Sequence, residues 1–438
     1  MYYNANEPIV KPRFSSSTAW KRGTDEMKQS IRDVPRLEKI TRFQTHDDDL
    51  DSATCKRTRT GSLCEHPNSV VQSTSCPDAG DASNSASQEI PTKKTKTART
   101  LFLSKTAVQR GRCGLRNIGN TCFMNSALQC LSNVPELTEY ILENDIQNIV
   151  NTTNSFGTQG KLAIAYAKLI REMWSGERTT TDPSAVKRYV SELSLRFMGY
   201  NQQDSHEFLN ELLSALHEDV KEEFDDVATE TSLIARIFHG QMRSTVTCQC
   251  GEPLVTFDSI SFLALPIPDL PPVRPRKNHS GESGKRPVTL IDCLKELFKE
   301  ESIGENGQWY CNKCDCLTNA EKKLDLWTPP KVLILQLKRF TYDTRNQSKI
   351  QTLVEFPFDS PLDLRQFIIN RDYKQSTLYD LVAISCHTGS LAGGHYTTYA
   401  RNFLTTNWFH FNDDIVSEAD EKSLVTPNAY ILVYCRQE

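Results

Sequence analysis

Gly-Leu-Arg-Asn-Ile-Gly-Asn-Thr-Cys-Phe-Met-Asn-Ser, residues 114–126, is the stretch from which the fold and the chemistry of this chain can be worked out. A turn rich in Gly and Asn runs directly into an apolar pattern with helical spacing, which puts Cys122 at or near a helix N-terminus. Free backbone N–H groups and the positive end of the helix dipole favour the thiolate form of a cysteine there. We therefore predict that Cys122 is a nucleophile, with these N–H groups and the Asn117 side chain as donors to an oxyanion.

The alternative for Cys122 is the usual role of a free cysteine, that of a small buried apolar residue. Cys130, which lies further along the apolar face of the same predicted helix, fits that role. Cys122 differs from it because a turn that leads into a helix is the setting that activates a thiol.

Apolar spacing divides the chain after residue 111 into a helical half and a strand-rich half. Helical spacing occurs at 122–142, 161–174, 184–197 and 205–220. Shorter runs typical of strands follow at 242–247, 331–340, 381–386, 396–401, 408–411 and 429–434. The sequence therefore predicts an α+β fold, with the helices first and the sheet second.

Two segments carry no periodic pattern. Residues 1–110 are rich in Ser, Thr and charged residues and poor in aromatic ones, which predicts a disordered N-terminal arm. Its basic clusters at 56–59 and 93–96 are either solvated linker or nuclear import signals. Residues 271–287 are polar and rich in Pro and Gly, which predicts a mobile surface loop.

The composition indicates that the function depends on a local site and not on the overall charge of the protein. The 51 Lys and Arg residues against 55 Asp and Glu give a formal net charge of −4, so nucleic-acid binding is not expected. The sequence has neither a signal-peptide pattern nor an apolar run long enough to span a bilayer, so we expect an intracellular protein, cytoplasmic and/or nuclear, without membrane contact. In that reducing setting the 14 cysteines are expected to be thiols, metal ligands or a catalytic group.

A Gly-rich loop near the C-terminal end delivers the candidate base, His395, to the start of a predicted strand. Gly393 and Gly394 come directly before it and allow a substrate backbone to approach closely. A slender Gly-Gly peptide tail would suit such a passage.

The group that orients His395 is expected at the end of the aromatic strand that follows. Asn412 and Asp413 both carry an oxygen that could hold the imidazole in the right tautomer, and the sequence leaves the choice between them open. His387 and His410 are expected to be structural.

Two close cysteine pairs lie between the nucleophile and the base. Four thiolates, from Cys248, Cys250, Cys311 and Cys314, can close a tetrahedral structural zinc site, with Cys316 as a spare ligand. The alternative is a cluster of free thiols. A closed four-ligand site predicts no catalytic role for the metal.

The stretch 114–126 closely resembles the cysteine box of the ubiquitin-specific protease family, and Tyr-Asn-Gln-Gln-Asp-Ser-His-Glu-Phe-Leu, residues 200–209, resembles its glutamine-rich box. The resemblance implies a papain-like cysteine protease domain over 111–438. A helical thumb is expected at about 111–230, and a β-rich palm with zinc-tied β fingers at about 231–438. One departure from the family is the first cysteine pair, which is Cys-x-Cys instead of Cys-x-x-Cys.

The same resemblance implies a deubiquitinating enzyme that hydrolyses the peptide or isopeptide bond after the C-terminal glycine of ubiquitin, through a thioester on Cys122. Asn412 takes the third triad position with Asp413 beside it, and Asp204 and Glu207 face the basic tail of ubiquitin. The implied partners are ubiquitin and ubiquitinated proteins. Two alternatives stay open, a catalytically silent ubiquitin-binding scaffold and a protease for a ubiquitin-like modifier.

Overall fold

The computed structural model describes residues 109–222, 231–270, 286–304, 308–342, 347–390 and 393–438, with the backbone alone at 341, 342 and 347. The predicted disordered arm, 1–110, lies outside the described residues except for its last two. The predicted mobile loop, 271–287, likewise lies outside them except for its last two.

Helices fill most of the first described half. The α-helices of the described residues are α1 Cys122–Ser132, α2 Pro135–Glu143, α3 Lys161–Met173, α4 Ser184–Leu193, α5 Ser205–Asp219, α6 Leu233–Phe238 and α7 Leu290–Leu297. Short 3₁₀ turns lie at Ile146–Asn148, Leu195–Phe197, Arg365–Phe367 and Glu421–Ser423. The segment 122–142, predicted as one helix, is two, because Asn133 ends α1 and Pro135 starts α2 in the first turn, where its missing N–H costs nothing.

Two helices were missing from the sequence prediction. α6 is short, and Ser232 caps it by accepting a hydrogen bond from Ala235 N–H. α7 starts with a capping box in which the side chains of Thr289 and Asp292 each accept from the other's backbone N–H. The Thr-x-x-Asp spacing of this box is a readable signal for α7.

Strands dominate the second half. They are β1 Gly114–Leu115, β2 Thr180–Thr181, β3 Gly240–Cys248, β4 Pro253–Ile260, β5 Leu263–Leu265, β6 Val288–Thr289, β7 Glu301–Ile303, β8 Trp309–Cys311, β9 Cys316–Thr318, β10 Ala320–Thr328, β11 Val332–Leu337, β12 Phe340–Tyr342, β13 Gln347–Lys349, β14 Val354–Glu355, β15 Leu362–Asp363, β16 Leu378–Ser390, β17 Gly393–Arg401, β18 Trp408–Asn412, β19 Ile415–Glu418 and β20 Ala429–Arg436. Each strand-like run predicted from the sequence falls on one or two of these strands.

Two sheets organise these strands. The larger has the order β19-β18-β17-β16-β20-β11-β5, with β15 also paired to β16, and is antiparallel except where β5 runs parallel to β11. A separate antiparallel sheet has the order β4-β3-β10-β7. Short two-stranded pairs, β1 with β2, β6 with β14, β8 with β9 and β12 with β13, complete the described topology.

α1 is the central element, because all its residues are buried between the other helices and the large sheet. Phe123 packs edge to face on Phe208 of α5, with ring centroids 5.8 Å apart. On the sheet side, the Ser126 hydroxyl lies 2.7 Å from the Ser385 hydroxyl of β16 and 2.8 Å from that of Thr398 in β17. Directional bonds therefore fix where this helix lies on the sheet.

The architecture confirms the predicted α+β class, with helices before strands. No helix in the described part of the chain is long and apolar enough to cross a membrane.

Candidate active site

The turn before α1 holds the candidate nucleophile at the helix N-terminus. α1 begins at Cys122 itself. The Asn117 side-chain oxygen accepts hydrogen bonds from the backbone N–H groups of Gly119 and Thr121, each at 3.1 Å. Gly119 has a φ of +115°, and a Cβ there would lie 2.5 Å from the Tyr200 ring, so the turn requires glycine. These contacts hold the turn in the conformation that leads into α1.

Gln202 is a site residue that the sequence analysis missed. Its Nε2 lies 3.3 Å from Cys122 Sγ and also donates to the carbonyl oxygen of Gly394. Its Oε1 accepts from Gly394 N–H at 2.9 Å. The motif 200–209 was noticed, but nothing in a sequence tells which of its polar side chains reaches across to Cys122.

His395 lies in β17, and its ring is held from the end of β18. His395 Nε2 lies 2.6 Å from Asn412 Oδ1. An amide oxygen only accepts, so Nε2 carries the proton and donates it. Nδ1 is then the nitrogen left with a free lone pair, which is the form that can act as a base.

Asp413, the other candidate orienter, contacts the nucleophile turn instead of the imidazole. Its Oδ1 accepts from Asn125 Nδ2 at 2.8 Å and its Oδ2 from Asn117 Nδ2 at 3.0 Å. Its backbone oxygen accepts from Leu115 N–H at 2.8 Å. Of the two neighbours, Asn412 is therefore the one bonded to His395, while Asp413 ties the turn and α1 to the end of β18.

The two acidic residues predicted to face a basic tail have partners within the chain. Asp204 caps α5 by accepting from the backbone N–H groups of His206 and Glu207, and it also accepts from the Tyr430 hydroxyl at 2.6 Å. Burial raises the pKa of the Asp204 carboxyl above its ordinary value, against the lowering effect of these hydrogen bonds. Glu207 is exposed and pairs with Arg196 at 2.7 Å. A substrate contact of either residue stays a prediction.

The glycine pair beside His395 differs in its surroundings. A Cβ at Gly394 would lie 2.2 Å from His387 Nε2 and from the Thr388 oxygen, so a side chain there is excluded. A Cβ at Gly393 would meet open space. Burial, aided by Lys349, lowers the pKa of His387 to about 4, which keeps this ring neutral under Gly394.

The four cysteines predicted as metal ligands come together at the ends of two hairpins. Their sulfur atoms all lie within 4.8 Å of one another, and the group can hold a metal ion. Cys248 and Cys314 sulfurs are 3.9 Å apart, as are those of Cys250 and Cys311. Cys316, expected as a spare ligand, pairs with Cys311 across the β8–β9 hairpin but lies outside the four-sulfur group.

Comparison with known proteins gives consistent matches. The model of the family described as ubiquitin carboxyl-terminal hydrolase matches residues 113–434. The rat protein named ubiquitin carboxyl-terminal hydrolase 2 is 36% identical over 370 residues, which covers 78% of this chain and 57% of the rat protein. The human protein named ubiquitin carboxyl-terminal hydrolase 3 is 34% identical over 360 residues, covering 74% of this chain and 68% of that protein. This chain thus spans a little over half of the rat relative's length.

A solved structure shares the fold. It is the SAGA Ubp8/Sgf11/Sus1/Sgf73 DUB module bound to ubiquitin aldehyde, one chain of which aligns with a TM-score of 0.61 at 24% identity. The alignment covers 78% of this chain and 73% of that one. The likeness extends the agreement from the sequence to the arrangement of helices and sheet.

Proposed function

We propose, because this chain belongs to the ubiquitin carboxyl-terminal hydrolase family, that it is a cysteine-type deubiquitinase that hydrolyses the bond after the C-terminal glycine of ubiquitin. The observation that carries the proposal is the convergence of Cys122, Gln202 and the Gly394–His395 segment at the N-terminus of α1. Relatives named as ubiquitin carboxyl-terminal hydrolases, and a structural relative solved with ubiquitin aldehyde, support ubiquitin as the partner.

The proposed reaction starts with transfer of the Cys122 thiol proton to His395 Nδ1. The sulfur then attacks the carbonyl carbon of the terminal glycine, and the C–N bond breaks as His395 returns the proton to the departing amine. A water molecule, deprotonated by the same nitrogen, cleaves the thioester and frees the ubiquitin carboxylate and the thiol. Asn412 keeps the imidazole in the tautomer that each proton transfer needs.

The proposed oxyanion donors are the free backbone N–H groups at the start of α1 and the Asn117 amide. An amide nitrogen has two hydrogens, and Asp413 accepts one from Asn117. The other remains for the oxyanion. Asp413 would then act on the reaction by orienting Asn117, not by touching the substrate.

The ubiquitin tail would run past Gly393 and Gly394, with Asp204 and Glu207 on its path as acidic neighbours of its basic residues. Glu207 is exposed and thus accessible to a partner, which would replace or share its ion pair with Arg196. The oxygens of Asp204 accept hydrogen bonds from the first turn of α5 and from the Tyr430 hydroxyl.

The metal of the four-cysteine group would be a structural zinc. A Zn–S length of about 2.3 Å in a tetrahedron requires sulfurs about 3.8 Å apart, and the Cys248–Cys314 and Cys250–Cys311 pairs lie at 3.9 Å. Cys248, Cys250, Cys311 and Cys314 would hold the ion as thiolates, and it would join the β3–β4 turn to the β8–β9 hairpin. All four sulfurs lie within 4.8 Å of one another, which supports a site that includes the Cys-x-Cys pair despite its short spacing.

The domain limits and the compartment belong to the same proposal. We assign a catalytic domain to 111–438, and the family match over 113–434 supports its outer limits. Within it we propose a thumb at about 111–230 and the palm and fingers at about 231–438. We place the protein inside the cell, in the cytoplasm or nucleus, where ubiquitinated proteins occur. Fluorescence microscopy of the tagged full chain would test the compartment.

The function is tested with ubiquitin carrying a C-terminal aminocoumarin. Purified wild-type protein should release the fluorophore, Cys122→Ala should not, and a ubiquitin vinyl probe should label Cys122. Absence of both turnover and labelling in the folded wild type would leave a ubiquitin-binding scaffold as the better description. If a ubiquitin-like modifier carrying a C-terminal aminocoumarin is hydrolysed faster than the ubiquitin derivative, that modifier is the substrate instead.

A further inference from the structure

β17 extends beyond its neighbour β18 near the candidate nucleophile. It pairs with β16 from Gly393 to Ala400, but with β18 only from Thr398 to Arg401. On the β18 side, residues 393–397 therefore extend past the end of the neighbouring strand. An extended peptide is the usual ligand of such an edge, because its N–H and C=O groups continue the sheet.

The Gln202 side chain occupies this edge as a peptide group would. Its Nε2 donates to the Gly394 carbonyl oxygen and its Oε1 accepts from Gly394 N–H, so both backbone groups of one strand residue are taken by one amide. This double contact joins Gln202, which lies just before α5, to β17, the strand that carries His395.

The same amide contacts the thiol. Gln202 Nε2 lies 3.3 Å from Cys122 Sγ, and Cys122 is only 2% exposed. A substrate carbonyl carbon has to come within bonding distance of that sulfur. It cannot do so while the amide stands there.

We propose that Gln202 is a latch: its amide imitates a peptide tail on the β17 edge, shields Cys122, and is displaced when a real tail pairs with Gly394. The identity of that tail as the Gly-Gly end of ubiquitin rests on the proposed function, whereas the latch itself is a property of this chain. An arriving peptide replaces the two hydrogen bonds with equivalent ones, so the exchange is nearly balanced and reversible.

Gly394 is part of the latch. A side chain there would collide with His387 Nε2 and the Thr388 oxygen, each 2.2 Å from the Cβ position, and would push the edge away from Gln202. The neutral His387 ring thus supports the surface on which the latch closes.

The latch is tested by the rate at which iodoacetamide alkylates Cys122 in the full chain without substrate, followed by mass spectrometry of the Cys122 peptide. Gln202→Ala should raise this rate about tenfold, and Gln202→Asn, whose amide is one methylene too short to bridge, should raise it similarly. The exposed Cys316 of the same samples is the internal reference and should react at an unchanged rate. Gln203→Ala, the same truncation one residue away, is the matched control and should leave the Cys122 rate as in the wild type.

The sign of the change decides between the latch and its main alternative. If the Gln202 amide instead activates the sulfur by stabilising the thiolate, both variants will alkylate more slowly than the wild type, which overturns the latch. An unchanged rate overturns it as well. Thermal unfolding of each variant shows that the fold is retained.

The latch and the proposed function fail separately. If the wild type does not turn over ubiquitin aminocoumarin but Gln202→Ala still speeds alkylation, the latch stands and the substrate assignment falls. If turnover is normal and alkylation is not accelerated, the enzyme assignment stands and the latch falls.

Discussion

A single hydrogen bond decides which nitrogen of His395 can take a proton. Nε2 donates to Asn412 Oδ1 at 2.6 Å, so Nδ1 is the basic atom. The partner is a neutral amide, which orients the ring without adding a charge beside it. The carboxylate of the neighbouring Asp413 instead accepts hydrogen bonds from the side-chain amides of Asn117 and Asn125.

Replacement of Asn412 tests this division at the level of one residue. Asn412→Ala should lower kcat by about 100-fold or more with little change in KM, because a misoriented base loses most of the contribution of general base catalysis. Asn412→Asp keeps an acceptor for Nε2–H and should retain most of the activity. Steady-state kinetics with ubiquitin aminocoumarin provide the measurement.

Asn144→Ala is the matched control, since the Asn144 side chain is exposed and, among the described residues, donates its hydrogen bond to the Tyr140 oxygen near the end of α2. Equal loss of kcat in Asn412→Ala and Asn412→Asp would contradict an orienting role for the side-chain oxygen.

Buried neutral histidines give the fold a pH dependence. Burial lowers the pKa of His239 and of His387 to about 4, and that of His206 to about 3. In an unfolded chain the pKa of these side chains is about 6.5, so at pH values between about 6.5 and 4 the unfolded state binds more protons than the folded state. The free energy of unfolding should therefore fall as the pH is lowered through this window.

Urea unfolding at pH 7, 6 and 5 measures this dependence. His239→Gln removes one of the contributing groups and should give a shallower decline than the wild type. A wild-type stability that stays level from pH 7 to pH 5 would be inconsistent with neutral buried histidines.

At the level of elements, the joint between α1 and the sheet controls how the nucleophile faces the base. Ser126 lies one turn after Cys122, and Thr398 lies on the strand that carries His395. Their hydroxyls and that of Ser385 form a buried cluster with distances of 2.7 and 2.8 Å. Apolar contacts alone would let the helix slide, whereas hydrogen bonds have a preferred length and direction.

Ser126→Ala should lower the free energy of unfolding by about 1–3 kcal/mol, because it removes the buried partner of the Ser385 hydroxyl and one of the bonds of Thr398, which still donates to the Ser126 backbone oxygen. The kcat should fall too, as the helix loses its fixed position on β17. Chemical denaturation and kinetics on the same sample measure both effects.

The control is Ser191→Ala, which removes a single, partly buried hydrogen bond to the Phe197 oxygen. It should cost at most about 1 kcal/mol and leave kcat unchanged. A Ser126→Ala protein as stable and active as that control would show that the cluster does not position α1.

At the level of the whole molecule, the four-cysteine group joins elements that the sheet does not. Cys248 ends β3 and Cys250 follows it in the turn, whereas Cys311 ends β8 and Cys314 lies in the β8–β9 turn. The β8–β9 hairpin is a separate two-stranded pair. A bound ion would therefore replace backbone pairing as the link between these hairpins.

Elemental analysis of the purified protein should find zinc in stoichiometric amount. Cys311→Ser should remove it and lower the unfolding temperature, because the energy of metal binding contributes to folding. Cys316→Ser, which changes a neighbouring cysteine outside the group, should retain zinc and stability. Loss of zinc from both variants, or its absence from the wild type, would count against this four-ligand site.

The sequence determined the features that depend on local spacing. The turn at 114–126 predicts a helix that starts at or near Cys122, the apolar periods predict helices before strands, and the two cysteine pairs predict a ligand group. The break at Pro135 and the cap at Thr289 were also readable locally, although the prediction omitted them.

Tertiary structure alone decided which side chains meet across the cleft. Gln202 reaches Cys122 and Gly394 from 80 and 192 residues away, and no local pattern encodes such a contact. The choice between Asn412 and Asp413 depends on the direction in which each side chain points. Asn412 ends β18 and faces His395, whereas Asp413, with a φ of +50°, points its side chain towards the nucleophile turn. Local spacing predicts the helix and strands that carry the candidate site, but the packing of α1 on the sheet determines which atoms come within hydrogen-bonding distance.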